Sequence, residues 1–164
     1  MLRGRAWKFG DNISTDHIIP GRFYHLRSNL EELTKHLFED IHQGFYKKVR
    51  KGDFIFAGKN FGLGSSREHA PLIIKMAGID AVVAASFARI FFRNAINVGL
   101  LAIICEVDEI REGDLIEINT SEGIIKNLTQ NFEKKFPPLP LVMRDILKEG
   151  GLVPYIKKYG GFKV

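Results

Sequence analysis

Hydrophobic and polar positions follow two different periods along this chain, and the change from one to the other predicts where its elements begin and end. Apolar runs at residues 54–57, 79–85 and 100–106 are short enough to be buried strands. Residues 5–9 alternate in polarity and predict another strand. The alternating stretch 113–127 contains a Ser-Glu-Gly turn and predicts a hairpin. These runs are expected to form a small sheet.

Helical periodicity fills the intervals between the strands. The predicted helices cover residues 30–42, 67–77, 87–98 and 140–149. Pro71 is tolerated only within a first turn, so the second helix must begin close to it, with Ser65 and Ser66 at its N-terminus. Ser86 is the expected cap of the third helix, which Gly99 ends. The order strand, helix, strand with short connections predicts an α/β fold with a partly parallel sheet.

Length and composition restrict the class of protein. The 164 residues predict a single domain over 1–164, and 45% hydrophobic with 26% charged residues is typical of a soluble globular chain. No apolar run approaches the roughly 20 residues of a membrane helix. We find no signal-peptide pattern and expect a cytoplasmic protein without membrane contact. The net charge of +5 permits nucleic acid as a partner, although a solvated basic surface is the simpler interpretation.

The chain contains a single cysteine, Cys105, at the end of an apolar run. This position predicts a buried structural thiol. One thiol excludes an intrachain disulfide and is too few to hold an iron–sulfur cluster. The five histidines show no zinc-site spacing, so we expect no metal in this chain.

A glycine-rich loop over residues 58–64 leads into Ser65, Ser66 and Arg67. Glycines let backbone amides approach a ligand, and the start of a helix favours an anion. The fork of an arginine matches a carboxylate. The loop lacks the GK[ST] of a P-loop, the third glycine of a dinucleotide fingerprint and the GxSxG of a hydrolase elbow. A carboxylate or phosphate site and a purely structural turn both remain open from these residues.

Three motifs in this chain resemble the swivelling domain of the aconitase superfamily. Residues 11–18 read DNISTDHI, residues 62–70 read GLGSSREHA and residues 86–97 read SFARIFFRNAIN, in the order of that domain. The resemblance covers nearly the whole chain. It implies a β/β/α swivelling domain, in which a small mixed sheet core is flanked by helices.

The resemblance also implies the activity and the partner. The chain would be the small subunit of a two-chain hydro-lyase, inactive without a large subunit that carries a four-iron four-sulfur cluster. The pair would form a heterodimer or heterotetramer with the active site at the interface. An RNA-binding module is the alternative from another class, and steep salt dependence would distinguish it.

The resemblance assigns roles to the residues of the motifs. Ser65 would be the base that removes the substrate proton. The other predicted substrate-binding positions in the motifs are Gly64, Ser66, Arg67, Asp16 and Thr15. Asp16 would orient the carboxylate-binding arginine, although an Asx turn is its structural alternative.

Residues 21–29 would carry the substrate specificity in this family. Leu26 could contact an apolar substituent and Arg27 a carboxylate. Isopropylmalate, isomerised in leucine biosynthesis, is favoured because that role is the more widespread. Homoaconitate or another malate-type substrate remains the alternative.

Overall fold

A seven-stranded mixed sheet in the order β4-β3-β2-β1-β5-β6-β7 forms the framework of the protein. The computed structural model describes residues 1–162, so the last two residues of the 1–164 domain prediction lie outside the described residues. The strands are β1 (Leu2–Lys8), β2 (Phe54–Ala57), β3 (Ala81–Ala84), β4 (Leu101–Ile104), β5 (Leu115–Asn119), β6 (Ile124–Asn127) and β7 (Phe132–Lys135).

The sheet has a parallel half and an antiparallel half that meet at β1. Strands β1 to β4 are parallel, with Phe54 opposite Ala81 and Ala81 opposite Leu101. On its other edge β1 pairs antiparallel with β5, where Leu2 lies opposite Ile118, and β5 to β7 continue as a meander. The predicted parallel segment and the predicted hairpin are both confirmed.

Within residues 1–162, seven helices and one 3₁₀ segment connect and cover the strands. They are α1 (Thr15–Ile18), the 3₁₀ segment (Gly21–Ser28), α2 (Leu30–Thr34), α3 (Phe45–Lys48), α4 (His69–Met76), α5 (Arg89–Asn97), α6 (Leu141–Lys148) and α7 (Leu152–Tyr159). Among residues 1–162, none of the helices combines the length and the apolar character needed to cross a membrane.

Two hydrophobic clusters lie on opposite faces of the parallel strands. Ile55 and Ala57 of β2 belong to the cluster that the helices cover, which we call the helix-side core. Phe54 and Phe56, whose side chains point the other way, pack with residues of the antiparallel half such as Ile118. The sheet therefore curls so that its two halves face each other while helices cover the outside. This arrangement confirms the β/β/α swivelling-domain prediction.

The prediction of one helix over residues 30–42 is wrong. Only α2 is regular, and the chain then continues in turns that still bury Leu37 and Phe38. The amide of Phe38 donates to the carbonyl oxygen of Ile18 at 3.1 Å, and Phe38 itself adopts a left-handed φ of 55°. The Phe38 amide therefore bonds to Ile18 instead of continuing the helix that the apolar spacing predicts.

Two predicted helix starts also differ in the structure. Helix α4 begins at His69, so Ser65 and Ser66 lie in the preceding loop instead of at its N-terminus. Helix α5 begins at Arg89 without a side-chain cap, since the Ser86 hydroxyl accepts a hydrogen bond from the amide of Asn60 at 2.8 Å. Both shifts arise because the loops that precede the helices bond to neighbouring loops.

The carboxyl-terminal part of the chain contains more regular structure than the sequence predicted. Strand β7 completes the meander, and α7 buries Tyr155 in the helix-side core. Cys105 lies one residue beyond β4 and is half-buried, so its prediction as a fully buried strand residue is wrong. Burial still raises the pKa of the Cys105 thiol, despite the cation of Lys134 nearby.

Candidate functional site

Three loops run side by side beyond the carboxyl ends of β1, β2 and β3. We call them the β1 loop (residues 9–14), the β2 loop (residues 58–68) and the β3 loop (residues 85–88). Gly62 donates its amide to the carbonyl oxygen of Ile13 at 2.6 Å, and Ala88 donates to that of Phe61 at 2.9 Å. The three motifs noted in the sequence therefore meet at one edge of the sheet, where ligands of parallel α/β sheets commonly bind.

Gly62 is required by the geometry of the β2 loop. Its φ is +84°, and a Cβ atom added there would lie 2.2 Å from Cγ of Phe91. Phe91 is buried in the helix-side core, so it cannot move aside without disturbing α5. The absence of a side chain lets α5 approach the β2 loop closely.

A cleft of about 210 Å³ opens between the β2 loop and α5. Gly64, Ser65, Ser66 and Arg67 line one wall. Ser65 and Ser66 are exposed, so both hydroxyls are accessible to a ligand.

The lining also includes Thr15, which fixes the backbone of Ser65. Thr15 is 4% exposed, and its hydroxyl donates to the carbonyl oxygen of Ser65 at 2.8 Å. The amide of Thr15 in turn donates to the carbonyl oxygen of Leu63 at 2.8 Å. The start of α1 therefore holds the β2 loop at both Leu63 and Ser65.

Arg67 is held in the cleft by contacts with the segment that follows the β1 loop. Its Nη1 atom donates to Oδ1 of Asp16 at 3.2 Å and also to the carbonyl oxygen of Ile19. The same Asp16 oxygen accepts from the amide of Gly21 at 3.0 Å. The Arg67 side chain is 17% exposed, whereas that of Asp16 is 66% exposed. Asp16 therefore orients Arg67 and does not itself line the cleft.

The two predicted specificity residues of the 3₁₀ segment lie outside the cleft lining. Arg27 is exposed, and its Cζ atom lies 5.1 Å from the ring centroid of Tyr24. Leu26 is half-buried and packs against the helix-side core. Of the predicted site residues, Thr15, Gly64, Ser65, Ser66 and Arg67 are brought together directly. Arg27 approaches that group through Tyr24.

Helix α5 contributes lining residues that sequence reasoning did not assign to the site. Arg89, Ile90 and Asn94 line the wall opposite Ser65. Arg89 and Ile90 are exposed, and within residues 1–162 the Arg89 guanidinium has no ion-pair or hydrogen-bond partner. The position of Arg89, directly after a parallel strand and the loop that follows it, could have indicated from sequence that it belongs to the site.

The residues of this chain do not fit an iron–sulfur cluster. Such clusters are held by several cysteine thiolates, and the sequence supplies only Cys105. In the part of the chain that the structure describes, no three His, Cys, Asp or Glu side chains gather into a metal-binding group. The cleft therefore provides hydroxyl and guanidinium groups and no ligands for a cluster.

Comparison with known proteins assigns the fold and the site to a class. The model of the aconitase C-terminal domain matches residues 42–108, which include the β2 loop, the β3 loop and α5. A crystal structure of 3-isopropylmalate dehydratase from Methanocaldococcus jannaschii superposes with a TM-score of 0.93. It is 49% identical in sequence, and the match covers 97% of this chain and 95% of that one. The curled sheet and the loop cluster are thus those of an aconitase-type swivelling domain.

Curated relatives are similar over nearly their whole lengths. The 3-isopropylmalate dehydratase small subunit 1 of Thermotoga maritima is 64% identical over 163 residues, covering 99% of this chain and 98% of that protein. The small subunit 2 of Archaeoglobus fulgidus is 61% identical over 161 residues and covers 98% of each. The chain belongs to the family of 3-isopropylmalate dehydratase small subunits, hydro-lyases of the aconitase superfamily.

Proposed function

We propose that this chain is the small subunit of a hydro-lyase that interconverts 2-isopropylmalate and 3-isopropylmalate in leucine biosynthesis. The single observation that carries the proposal is the cleft in which the Ser65 hydroxyl and the Arg67 guanidinium are held together. The names and near-complete coverage of the relatives support the substrate. We place the enzyme in the cytoplasm.

Ser65 is the proposed base of the reaction. Dehydration of a malate-type substrate removes a proton from the carbon beside a carboxylate, and hydroxide leaves from the neighbouring carbon. Ser65 would accept that proton on Oγ and return it during rehydration. The form of Ser65 that accepts the proton would be the alkoxide, formed when the hydroxyl gives its own proton to solvent. Little alkoxide is present near neutral pH unless its negative charge is stabilised, and the guanidiniums of Arg67 and Arg89 in the same cleft would provide that stabilisation.

Arg67 is the proposed clamp for a substrate carboxylate. Its contacts with Asp16 and Ile19 involve Nη1, so the other guanidinium N–H groups remain for an incoming carboxylate. Guanidinium and carboxylate match in a paired geometry, which orients the carbon to be deprotonated. Ser66 would add a hydrogen bond, and the Gly64 backbone allows the substrate a close approach.

The large subunit is the proposed partner, and the cleft would lie at the interface between the two chains. Among residues 1–162, no group of His, Cys, Asp or Glu side chains could hold a metal ion for the leaving hydroxyl, and a single cysteine does not fit a cluster. We therefore place the four-iron four-sulfur cluster on the large subunit, in a heterodimer or heterotetramer. Ser65, Ser66 and Arg89 of the cleft lining are exposed, which is consistent with a site that a second chain completes.

Homoaconitate is the second candidate substrate, because the exposed Arg27 could meet an additional carboxylate. The two substrates differ at the substituent that Leu26 and Arg27 were predicted to contact. Isopropyl requires apolar contact, whereas a carboxylate arm requires a cation. A direct comparison of the two substrates on one enzyme preparation decides between them.

The test is to co-express the chain with its cognate large subunit, reconstitute the cluster anaerobically and assay hydration of isopropylmaleate and cis-homoaconitate. We expect activity on isopropylmaleate only in the complex, and a loss of at least about a thousandfold in Ser65→Ala. Ser121→Ala, in the exposed turn between β5 and β6, is the matched control and should retain wild-type activity. Full activity of Ser65→Ala would overturn the role of Ser65, and inactivity of an intact complex on both substrates would overturn the proposal.

A further inference from the structure

We propose that Tyr24 is a positioning residue that holds Arg67 and Arg27 at a fixed separation and so sets the spacing at which two substrate carboxylates can bind. This inference rests on the proposed function. It takes Arg27 as a clamp for a carboxylate that isopropylmalate and homoaconitate share, instead of for the additional carboxylate that homoaconitate alone carries. Neither the motifs nor the cleft lining contains Tyr24. Its role follows from what its ring touches.

The ring of Tyr24 lies against both guanidiniums. The Cζ atom of Arg67 is 5.2 Å from the ring centroid, and that of Arg27 is 5.1 Å from the same centroid. A cation within about 6 Å of an aromatic ring is attracted by the negative charge of its face. Nη1 of Arg27 also donates to the backbone carbonyl oxygen of Tyr24 at 3.3 Å. The separation of the two cations therefore cannot exceed the sum of the two ring distances.

Tyr24 can act as a fixed support because its own segment is held from several sides. Its ring meets that of His69, the first residue of α4, edge to face at a centroid distance of 6.2 Å. Tyr24 also packs, half-buried, against the helix-side core.

Contacts elsewhere in the 3₁₀ segment hold the backbone that carries Tyr24. The Arg22 guanidinium forms a paired contact with Asp40, with N–O distances of 2.7 and 2.5 Å. The ring of Phe23 stacks on that of His36 at 3.9 Å and an interplanar angle of 9°. The 3₁₀ segment is thereby fixed to the helical layer, and Tyr24 joins it to the end of the β2 loop.

The charge balance around the ring favours an anion. Of the two guanidiniums, only Arg67 has a carboxylate partner within residues 1–162, namely Asp16. Two like charges near one ring repel each other, and the ring face and Asp16 offset that repulsion only in part. A ligand with two carboxylates would relieve it by placing one on each guanidinium. A substrate with a single carboxylate would leave one cation uncompensated.

The functional test compares Tyr24→Leu with Tyr24→Phe in the reconstituted complex. Loss of the ring in Tyr24→Leu is expected to raise KM about five- to thirtyfold, with kcat changed less than threefold, whereas Tyr24→Phe keeps the ring and should stay within about twofold of wild type. Phe23→Leu removes the neighbouring ring, which contacts Arg22 instead of the site arginines. The KM of Phe23→Leu therefore shows the effect of loosening the 3₁₀ segment without loss of the Tyr24 ring. A KM for Tyr24→Leu no higher than that for Phe23→Leu would overturn the proposal.

A graded series keeps the proposal falsifiable if Tyr24→Leu fails to fold. Replacement of Tyr24 by phenylalanines with an increasing number of ring fluorines preserves shape while weakening the negative ring face. The logarithm of KM should rise steadily with fluorine number. A flat series would show that only the bulk of Tyr24 matters and would overturn the proposal.

A measurement on the uncomplexed full-length chain separates this inference from the proposed function. Guanidinium NMR signals of Arg67 and Arg27 should be shifted by the Tyr24 ring current, retained in Tyr24→Phe and lost in Tyr24→Leu. Unshifted signals in the wild-type chain would overturn the positioning role whatever the substrate is. Shifted signals in a complex inactive on both substrates would instead count against the proposed function alone.

Discussion

The hydroxyl of Thr15 donates a hydrogen bond to the backbone carbonyl oxygen of Ser65 at 2.8 Å, joining two residues that are 50 positions apart in the chain. Thr15 is buried, whereas Ser65 is exposed in the cleft. A side chain in the interior thus fixes the backbone of the residue proposed to take the substrate proton. The Ser65 hydroxyl can remain accessible because the Thr15 hydrogen bond holds the main chain of Ser65.

Thr15→Val should lower kcat about five- to tenfold while the complex still assembles. Valine has nearly the same shape, so the change removes mainly the hydrogen bond that fixes Ser65. Steady-state assays of the complex provide the measurement. Thr15→Ser retains the hydroxyl and serves as the control, and an equal loss in both variants would contradict an effect exerted through the hydrogen bond.

Asp16→Asn should raise KM about three- to tenfold with little change in kcat. The neutral amide holds the Arg67 guanidinium more weakly, and the exposure of Asp16 limits the effect. Glu149→Gln removes the carboxylate of another ion pair, with Lys158 at 2.9 Å, far from the β2 loop in sequence. That control should leave KM unchanged. Equal KM values for Asp16→Asn and wild type would show that the Asp16 carboxylate is not needed to position Arg67.

Arg89→Gln should raise KM about tenfold and also lower kcat, without lowering the melting temperature. Its guanidinium lines the cleft without an ion-pair partner in residues 1–162, so its removal costs no internal contact. Arg93→Gln is the matched control because Arg93 is exposed one turn later on α5 and does not line the cleft. Similar KM values for the two variants would remove Arg89 from the proposed site.

Gly62→Ala should destabilise the chain by about 3 kcal/mol, through its left-handed backbone and the overlap with Phe91. Urea unfolding of the purified chain measures the change. Gly10→Ala is the control, since no atom lies within 4 Å of an added Cβ there and Gly10 does not require a left-handed φ. A free energy of unfolding for Gly62→Ala equal to that of the control would contradict the close approach of α5.

Asp114 should make stability depend on acid pH. Burial opposes its charge, but hydrogen bonds from the Arg111 amide, Asn127 and Gln130 together hold its pKa below the ordinary value of 3.8. A carboxyl group whose pKa is lowered by folding stabilises the protein above the unfolded value, and that contribution is lost as pH falls through the folded value. The free energy of unfolding of wild type minus that of Asp114→Asn should therefore be constant near neutral pH. It should decrease as the pH falls below 3.8.

Urea unfolding at a series of pH values measures this dependence. Asp108→Asn is the control, because Asp108 is exposed and makes none of these hydrogen bonds. A difference between wild type and Asp114→Asn that stays constant through the acid range would contradict the lowered pKa.

Several elements could be predicted from local pattern because their determinants are local. Continuous apolar runs identified β2, β3 and β4, and glycine spacing identified the β2 loop. The three motifs indicated the superfamily and with it the β/β/α swivelling domain with a small mixed sheet core, which periodicity alone did not predict. Ser65, Ser66 and Arg67 could be proposed as a group because they are neighbours in sequence.

Local pattern failed where a tertiary contact competes with it. Residues 30–42 have helical spacing, yet the Phe38 amide bonds to Ile18 and the helix ends at Thr34. The contact of Leu26 with the substrate, which the family resemblance implied, stays a prediction, and the structure shows Leu26 half-buried against the helix-side core. Helical periodicity alone did not distinguish Arg89 from Arg93, although the position of Arg89 directly after a parallel strand and its loop could have done so.

The sequence by itself determined the chemical groups, the approximate elements and the superfamily, since each depends on residues close together in the chain. Only the tertiary structure decided that Thr15 anchors Ser65, that Arg67 also bonds to the carbonyl oxygen of Ile19 and that Tyr24 contacts two arginines. These relationships depend on strand order and on the meeting of three loops at one sheet edge. Local propensities carry no information about the strand order. The strand order depends on how the whole chain buries both faces of the sheet.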